Sequence, residues 1–176
     1  MSNSDGRVQW LQAGQVLLRQ GGAAAVKLHS LTHQLGLTTG SFYHHFKGMT
    51  DYLDQLANFY GAEQARAALD SVQHPDPRTR LRQLATVARQ EDMATLDAAM
   101  RDWSGSNPTA AAAVEQADQL LLRFVEKAFI DLGYARRDAQ ARAILFYSAG
   151  VARVSPPWKT GGRLVDVVLD ALAPTD

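Results

Sequence analysis

Apolar residues recur every three or four positions along most of the chain, and this spacing predicts amphipathic α-helices. The strongest such segment extends from Val114 to Leu132 and ends at Gly133. Glycine pairs, prolines and short polar side chains mark where the helices begin and end. The pattern predicts an all-α chain of nine helices, over residues 4–20, 27–35, 38–46, 51–72, 78–90, 92–103, 114–132, 138–154 and 163–172.

Composition narrows the class of protein further. The chain has 176 residues, 46% of them apolar, which is enough for a buried core, and it has no cysteine for a disulfide or a thiolate metal site. No apolar run approaches the roughly 18 residues of a membrane span. The first residues also lack the layout of a secretory signal. We therefore expect a cytoplasmic protein that has no membrane partner.

The charge is unevenly distributed, although the formal net charge is zero. Residues 1–50 carry four basic groups and one acidic group, a net charge of +3, whereas residues 51–176 carry fourteen basic and seventeen acidic groups, a net charge of −3. A basic segment attached to an acidic body is typical of a nucleic-acid-binding unit with a second domain. We expect a DNA-binding domain over 1–50 and a second helical domain over 51–176.

Two short predicted helices are joined by Gly36 and Leu37, with a third helix before them, which is the plan of a helix-turn-helix. Phe42 and Phe46 fall one turn apart and are predicted to pack inward. The helix after the turn is expected to present its N-terminal residues to base edges in the major groove. Those residues are Thr38, Thr39, Gly40 and Ser41.

The segment LTHQLGLTTGSFYHHFKGMTDYL, residues 31–53, resembles the DNA-binding domain of the TetR family. Its recognition-helix signature is matched position by position by Gly40 to Phe46. The resemblance implies a TetR-like architecture, in which an N-terminal helix-turn-helix domain precedes a C-terminal domain for ligand binding and dimerisation. It implies a homodimeric repressor, without a cofactor, that a small-molecule ligand releases from a palindromic operator.

The resemblance also implies roles for individual residues. Tyr43 matches the tyrosine that donates to a backbone phosphate, and Ser41 and His45 match positions that approach phosphates. Thr39, Gly40 and His44 match positions where base edges are contacted. His29, near the start of the second helix, matches another base or phosphate contact.

Two departures from the family pattern remove positive charge from the expected interface. Met49 stands where the family usually has a lysine, with Lys47 nearby as a substitute, and Thr39 stands where a lysine or arginine is frequent. Phosphate contacts with cations account for much of the affinity for DNA. We therefore expect modest affinity for the phosphate backbone.

The histidines and carboxylates favour neither a metal site nor an enzyme. His29 and His33 lie four residues apart, a spacing that suits two zinc ligands, but no acidic residue or cysteine accompanies them. The chain has no nucleophile elbow, no zinc-protease motif and no phosphate-binding glycine loop. We predict no metal site and a protein that is not an enzyme.

Two sets of residues in the second domain are candidates, one for ligand binding and the other for dimerisation. Taken singly, each residue of the first set is favoured as ordinary core. The resemblance supports a ligand site, since TetR-like proteins bind small molecules in this domain. The candidate ligand-binding residues are Met93, Met100, Trp103, Phe124 and Tyr147. The last two helices are expected to form a two-fold dimer interface, which suits a palindromic site. The candidate interface residues are Ile144, Ala149, Gly150, Val151, Val165, Val168 and Leu172.

Two other classes of protein remain open from the sequence. One is a helical interaction module whose helix-turn-helix has weak or lost DNA binding, which Met49 and Thr39 favour. The other is an all-α enzyme or small-molecule carrier that uses the second domain. Salt-dependent binding to duplex DNA separates the regulator from both.

Overall fold

The computed structural model describes residues 3–152 and 163–174, and every regular element within these residues is helical. The prediction of an all-α fold is confirmed. If the consecutive segments between residues 49 and 70 are counted as one helix, the described residues contain the predicted nine helices. The elements are α1 (Asn3–Ala25), α2 (Leu28–Leu35), α3 (Thr39–His45), α4 (Met49–Asn58), a π-helical segment (Phe59–Gln64), α5 (Ala65–Asp70), α6 (Pro77–Gln90), α7 (Met93–Ser104), α8 (Pro108–Asp131), α9 (Arg136–Val151) and α10 (Leu164–Leu172).

The structure differs from the predicted helices in several places, among them the start of α8, which begins at Pro108 rather than Val114. α1 continues to Ala25, although its backbone leaves helical geometry at the predicted end, where Gly22 has a φ of 65°. The fourth helix begins at Met49 and contains the π-helical segment, which apolar spacing did not reveal. α9 ends at Val151, and residues 153 and 154 of its predicted span lie outside the described residues.

The described chain forms two compact units. The first contains the residues up to Gln64 together with Thr95–Gln116, and the second contains Ala65–Ala94 and the residues from Ala117 onward. The predicted domain boundary at residue 50 falls inside the first unit. Within the described residues, no helix combines the length and the apolar character that crossing a membrane requires.

An aromatic cluster forms the centre of the helix-turn-helix region, α1–α4, in the first unit. Trp10 of α1, Phe42 of α3, Phe46 after α3 and Tyr52 of α4 are fully or almost fully buried. The Phe42 ring centroid lies 5.4 Å from that of Trp10 and 5.5 Å from that of Tyr52. These contacts fix α3 against both α1 and α4, because packed rings of this size bury large apolar areas.

A close approach between α1 and α4 supports this cluster. The Tyr52 hydroxyl donates a hydrogen bond of 2.8 Å to the carbonyl oxygen of Trp10, and burial raises the pKa of Tyr52. The hydroxyl passes over Gly14, where an added Cβ would lie only 2.1 Å from it. The absence of a side chain at Gly14 therefore allows the buried hydroxyl to reach its acceptor.

The core of the second unit is mainly aliphatic. Val125, Phe129, Ala139 and Leu169 are buried in one cluster to which α6, α8, α9 and α10 contribute. Burial of apolar area is the main favourable contribution to its stability. This cluster holds α10 against α6 and α9.

Arginines tie both ends of α10 into the second unit. At its C-terminal end Arg78 donates to the carbonyl oxygen of Ala173, and Arg142 donates to that of Leu172. At its N-terminal end Arg82 pairs with Asp166, with 2.8 Å between Nε and Oδ1. The last carbonyl groups of a helix lack partners within the helix, so Arg78 and Arg142 satisfy carbonyl groups at the C-terminal end that would otherwise remain unpaired.

Candidate nucleic-acid interface

The turn between α2 and α3 has the geometry that a helix-turn-helix requires. α2 ends at Leu35 and is capped by Gly36, whose φ of 64° lies in the left-handed region. The next N–H group, of Leu37, donates to the carbonyl oxygen of Thr32 over 3.2 Å. A side chain with a Cβ is strained in this conformation, so a glycine at the turn allows α3 to start directly after α2.

Thr38 is the N-cap of α3. Its hydroxyl oxygen accepts a hydrogen bond of 3.3 Å from the N–H group of Ser41. This is the N-cap arrangement, which satisfies one of the free amides of the first turn. The Thr38 side chain thus helps to orient α3 and remains exposed at its N-terminal end.

The helix α3 has one buried and one exposed face. Phe42 is buried in the aromatic cluster, whereas Thr39, Gly40 and His44 are exposed. The Tyr43 side chain is 57% exposed, although its ring meets the Phe42 ring edge-on at 5.4 Å. Most of the predicted DNA-contacting residues of α3 are therefore exposed, whereas Ser41 and His45 are half-buried.

His45 lies on the border between the two faces. It packs against Gly6 of α1, where an added Cβ would come within 2.9 Å of its Nε2 atom. Desolvation lowers the pKa of His45, and the charge of His44, whose ring centroid is 5.1 Å away, lowers it further. His45 is therefore neutral over a wider pH range than an exposed histidine.

The junction after α3 contains an acidic contact. From the sequence, Asp51 is a candidate cap of the fourth helix, but its carboxylate instead accepts hydrogen bonds from the Lys47 N–H group at 2.8 Å and the Gln55 amide at 3.1 Å. These donors hold the pKa of Asp51 below its ordinary value. An aspartate in the first turn of α4 is the sequence signal, since such residues often reach back to amides before the helix. Its charge offsets that of the exposed Lys47.

The other basic residues and histidines of this region are arranged as follows. Arg7 pairs with Glu63 over 3.3 Å, which offsets part of the basic charge. His29 and His33 are both exposed on α2. No group of three or more potential metal ligands occurs within the described part of the chain.

The candidate ligand-binding residues are divided between the two units. Met100 and Trp103 are buried in the first unit. In the second unit, Met93 is half-buried, Phe124 packs against the aliphatic cluster, and the Tyr147 hydroxyl donates to Asp118 over 2.7 Å. Their grouping into one ligand site remains a prediction.

The candidate interface residues also have unequal surroundings. Val165, Val168 and Leu172 pack in part against the core of the second unit. Ile144 is 55% exposed and Gly150 is exposed, while Ala149 and Val151 are half-buried. Three exposed apolar residues of α9 and α10 were missing from the predicted set, because helical spacing alone did not distinguish which apolar face lies on the core. They are Leu145, Leu164 and Val167, at 58%, 43% and 44% exposure.

No protein-family model matches the chain, and no curated protein matches it in sequence. Solved structures do match it. A TetR-family transcriptional regulator from Agrobacterium tumefaciens has a TM-score of 0.66 and 17% identity, over 98% of this chain and 95% of that chain. SCO7518 from Streptomyces coelicolor A3(2) has a TM-score of 0.67 and 17% identity, over 97% and 99%. The reduced form of Escherichia coli NemR has a TM-score of 0.66 and 16% identity, over 83% and 86%.

These similarities define the class of fold. The chain has the fold of TetR-family transcriptional regulators, which confirms the all-α, TetR-like fold that the resemblance of residues 31–53 implied. The similarity extends over nearly the whole chain, whereas the sequence motif covers only the N-terminal region.

Proposed function

We propose that this protein is a homodimeric, DNA-binding transcriptional repressor that a small-molecule ligand releases from a palindromic operator. The observation that carries the proposal is the division of α3 into a buried aromatic face and an exposed polar face, directly after a left-handed glycine turn. That arrangement presents α3 to a major groove. The similarity to a TetR-family regulator supports the same function.

The candidate DNA-contacting residues divide into two expected roles. Tyr43, Ser41, His45 and Lys47 are suited to phosphate contacts, which position the protein on the duplex without selecting a sequence. Thr39, Gly40, His44 and His29 are suited to base contacts. A threonine can donate to or accept from a base and can touch the thymine methyl group, so Thr39 is the first candidate for sequence selection.

The exposed apolar side chains of the second unit support a dimer. Ile144 and Leu145 of α9 and Leu164 and Val167 of α10 are exposed, and none of them has a polar group that water would solvate. A two-fold axis buries one such surface against its own copy. Two recognition helices related by that axis would contact half-sites about 34–36 Å apart.

The ligand is expected to act through the second predicted domain. If it binds best when the two recognition helices are wrongly spaced, it weakens operator binding, and the operator weakens ligand binding equally. A coupling of about 1–3 kcal/mol is enough for such a switch. We expect this regulator to act in the cytoplasm.

Selection of purified protein against a randomised duplex pool, followed by sequencing of the retained duplexes, tests the proposal. We expect enrichment of an inverted repeat whose half-sites are about 10 base pairs apart or a multiple of that. A variant carrying Tyr43→Ala and Thr39→Ala is the matched control, since it keeps the buried face of α3. Equal enrichment by the control and the wild type would contradict the proposed surface.

A second candidate function has one specific observation in its favour. Met49 and Thr39 replace expected basic residues, and the Asp51 carboxylate lies beside the amide of Lys47. A surface with this charge favours a helical interaction or small-molecule-binding protein with weak or lost DNA binding. No enrichment of any duplex at low salt would support that alternative over the repressor.

A further inference from the structure

The π-helical segment, Phe59–Gln64, is the least expected element of the first unit. A π-helical turn is rare, and it occurs mostly as a single turn within an α-helix, often at a functional site. Its wider turn must be stabilised by its surroundings. The contacts of the segment show which neighbours do this.

Towards α1, the segment is held by two polar contacts. The Gln15 side-chain amide donates to Oε1 of Gln64 over 2.7 Å, and the Gln15 side chain is buried. Arg7 pairs with Glu63 over 3.3 Å. The last two residues of the π-helical segment are therefore joined to the helix that carries Trp10.

Towards α7, the segment is held by a buried hydrogen bond. The Tyr60 hydroxyl donates to Oδ1 of Asp97 over 2.6 Å, and Arg101 donates to Oδ2 over 2.7 Å. Asp97 is only 6% exposed. A buried carboxylate is costly unless donors satisfy it, so loss of the Tyr60 hydroxyl would leave one oxygen short of a donor.

Towards α8, the segment makes a backbone contact that leaves little freedom. A Cβ added to Gly61 would lie 2.8 Å from the carbonyl oxygen of Ala113 and 2.9 Å from its Cα atom. Both distances are too short for a side chain. The segment is thus enclosed on three sides in the register that the structure shows.

We infer that Tyr60 and Asp97 are positioning residues for DNA binding, because their hydrogen bond holds the π-helical segment in the register at which Gln64 reaches Gln15. The inference rests on the proposed function. Gln15 belongs to α1, whose Trp10 ring packs 5.4 Å from Phe42 of the recognition helix. A change of register by one residue rotates a helical side chain by about 100°, which would separate Gln64 from Gln15.

The test measures the Kd for the inverted repeat that the wild-type protein enriches. The variants are Tyr60→Phe, which removes one hydroxyl, Gln15→Met, which breaks the link to α1, and the double variant. Tyr134→Phe in the second unit is the control, because it removes a hydroxyl and keeps the ring beneath Arg142. Urea unfolding and circular dichroism establish the folded fraction of each variant.

We expect each single variant to raise Kd about tenfold, from the loss of one buried hydrogen bond. Because both act on the same linkage, the double variant should raise Kd by much less than the roughly hundredfold that independent effects would produce. The dependence of Kd on salt should stay unchanged, since no phosphate contact is lost. Tyr134→Phe should bind as the wild type does.

Two results overturn the inference alone: a Kd for folded Tyr60→Phe within twofold of wild type, or single effects that multiply fully in the double variant. A purely structural role would lower the urea midpoint and leave the Kd of folded protein unchanged. If Tyr60→Phe does not fold, Gln15→Met must still weaken binding with an unchanged salt dependence, or the inference fails. If the wild type enriches no duplex, the proposed function fails, and this inference fails with it.

Discussion

The helix-turn-helix region and the second unit differ in how far their large apolar side chains are exposed. In α1–α4 the large apolar side chains are buried in one aromatic cluster, and the exposed residues of α3 are mostly polar. In the second unit, α9 and α10 leave Ile144, Leu145, Leu164 and Val167 exposed. The first surface is suited to a polar, charged partner and the second to an apolar one.

The two regions also differ in how α3 and α10 are held in place. Aromatic ring contacts and one buried hydroxyl fix α3, whereas arginine donors at both ends fix α10. A short helix such as α3 has few backbone hydrogen bonds of its own, so tertiary packing must supply most of its stability. Substitutions within each region can therefore test how these contacts and surfaces affect stability, dimerisation and DNA binding.

The largest expected effect is on the packing of the helix-turn-helix region. Gly14→Ala should lower the free energy of unfolding by about 3 kcal/mol, because the new Cβ would displace the Tyr52 hydroxyl from its acceptor. Urea unfolding measures the change. Gly105→Ala is the control, since its nearest atom, the carbonyl oxygen of Asp102, would be 3.4 Å away. Equal losses in the two variants would contradict this account.

The next largest effect distinguishes residues of α10 that pack against the core from residues of α10 that are exposed. Val168→Asp should lower the free energy of unfolding by about 2 kcal/mol, because Val168 packs against the core. Val167→Asp places the same charge on an exposed residue and should instead yield monomers in sedimentation velocity. If Val167→Asp remained dimeric, the exposed surface of α10 would not be the interface.

A smaller effect distinguishes phosphate contacts from base contacts on α3. Tyr43→Phe should weaken binding to every duplex similarly, by about 1 kcal/mol, since a phosphate contact carries no sequence information. Thr39→Ala should change which bases are preferred at one position of each half-site. Selection followed by sequencing measures both. The assignment is inverted if Tyr43→Phe changes base preference and Thr39→Ala does not.

The smallest effect is the dependence of DNA binding on pH. As the pH falls from 8 to 5.5, protonation of histidines near phosphates should raise affinity, by less than about tenfold for one group. Because the pKa of His45 is lowered, its share should appear at the acidic end of this range. The contribution of His45 is measured from the affinity of His45→Gln for the duplex across this pH range, with His33→Gln as the control. A flat profile for the wild type would contradict the prediction.

Protonation of His45 should raise the affinity for DNA but lower the stability of the protein without DNA. The pKa of His45 is lower in the folded protein than its ordinary value of 6.5, so the unfolded chain takes up the proton first. Its contribution to stability is present above that ordinary pKa and is lost as the pH falls through the interval down to the folded pKa. Urea unfolding of wild type and His45→Gln across this range checks the sign.

Much of the fold and part of the candidate site could be predicted from local sequence. Gly36 and Thr38 determine where one helix ends and the next begins, since a left-handed turn and an N-cap depend on residues only two or three positions apart. The spacing of Phe42 and Phe46 determined the buried face of α3, and hence its exposed face. These properties follow from helical geometry and backbone sterics alone.

Other features depend on residues distant in the chain, so only the tertiary structure decided them. The π-helical segment is held by Gln15, Asp97 and the backbone of Ala113, none of which is a sequence neighbour. Whether Val167 or Val168 lies on the core depends on how α10 packs against α6 and α9. Helical periodicity identifies apolar positions, but long-range packing decides which of them are buried, which hydroxyl satisfies a buried carboxylate and which surface is left for a partner.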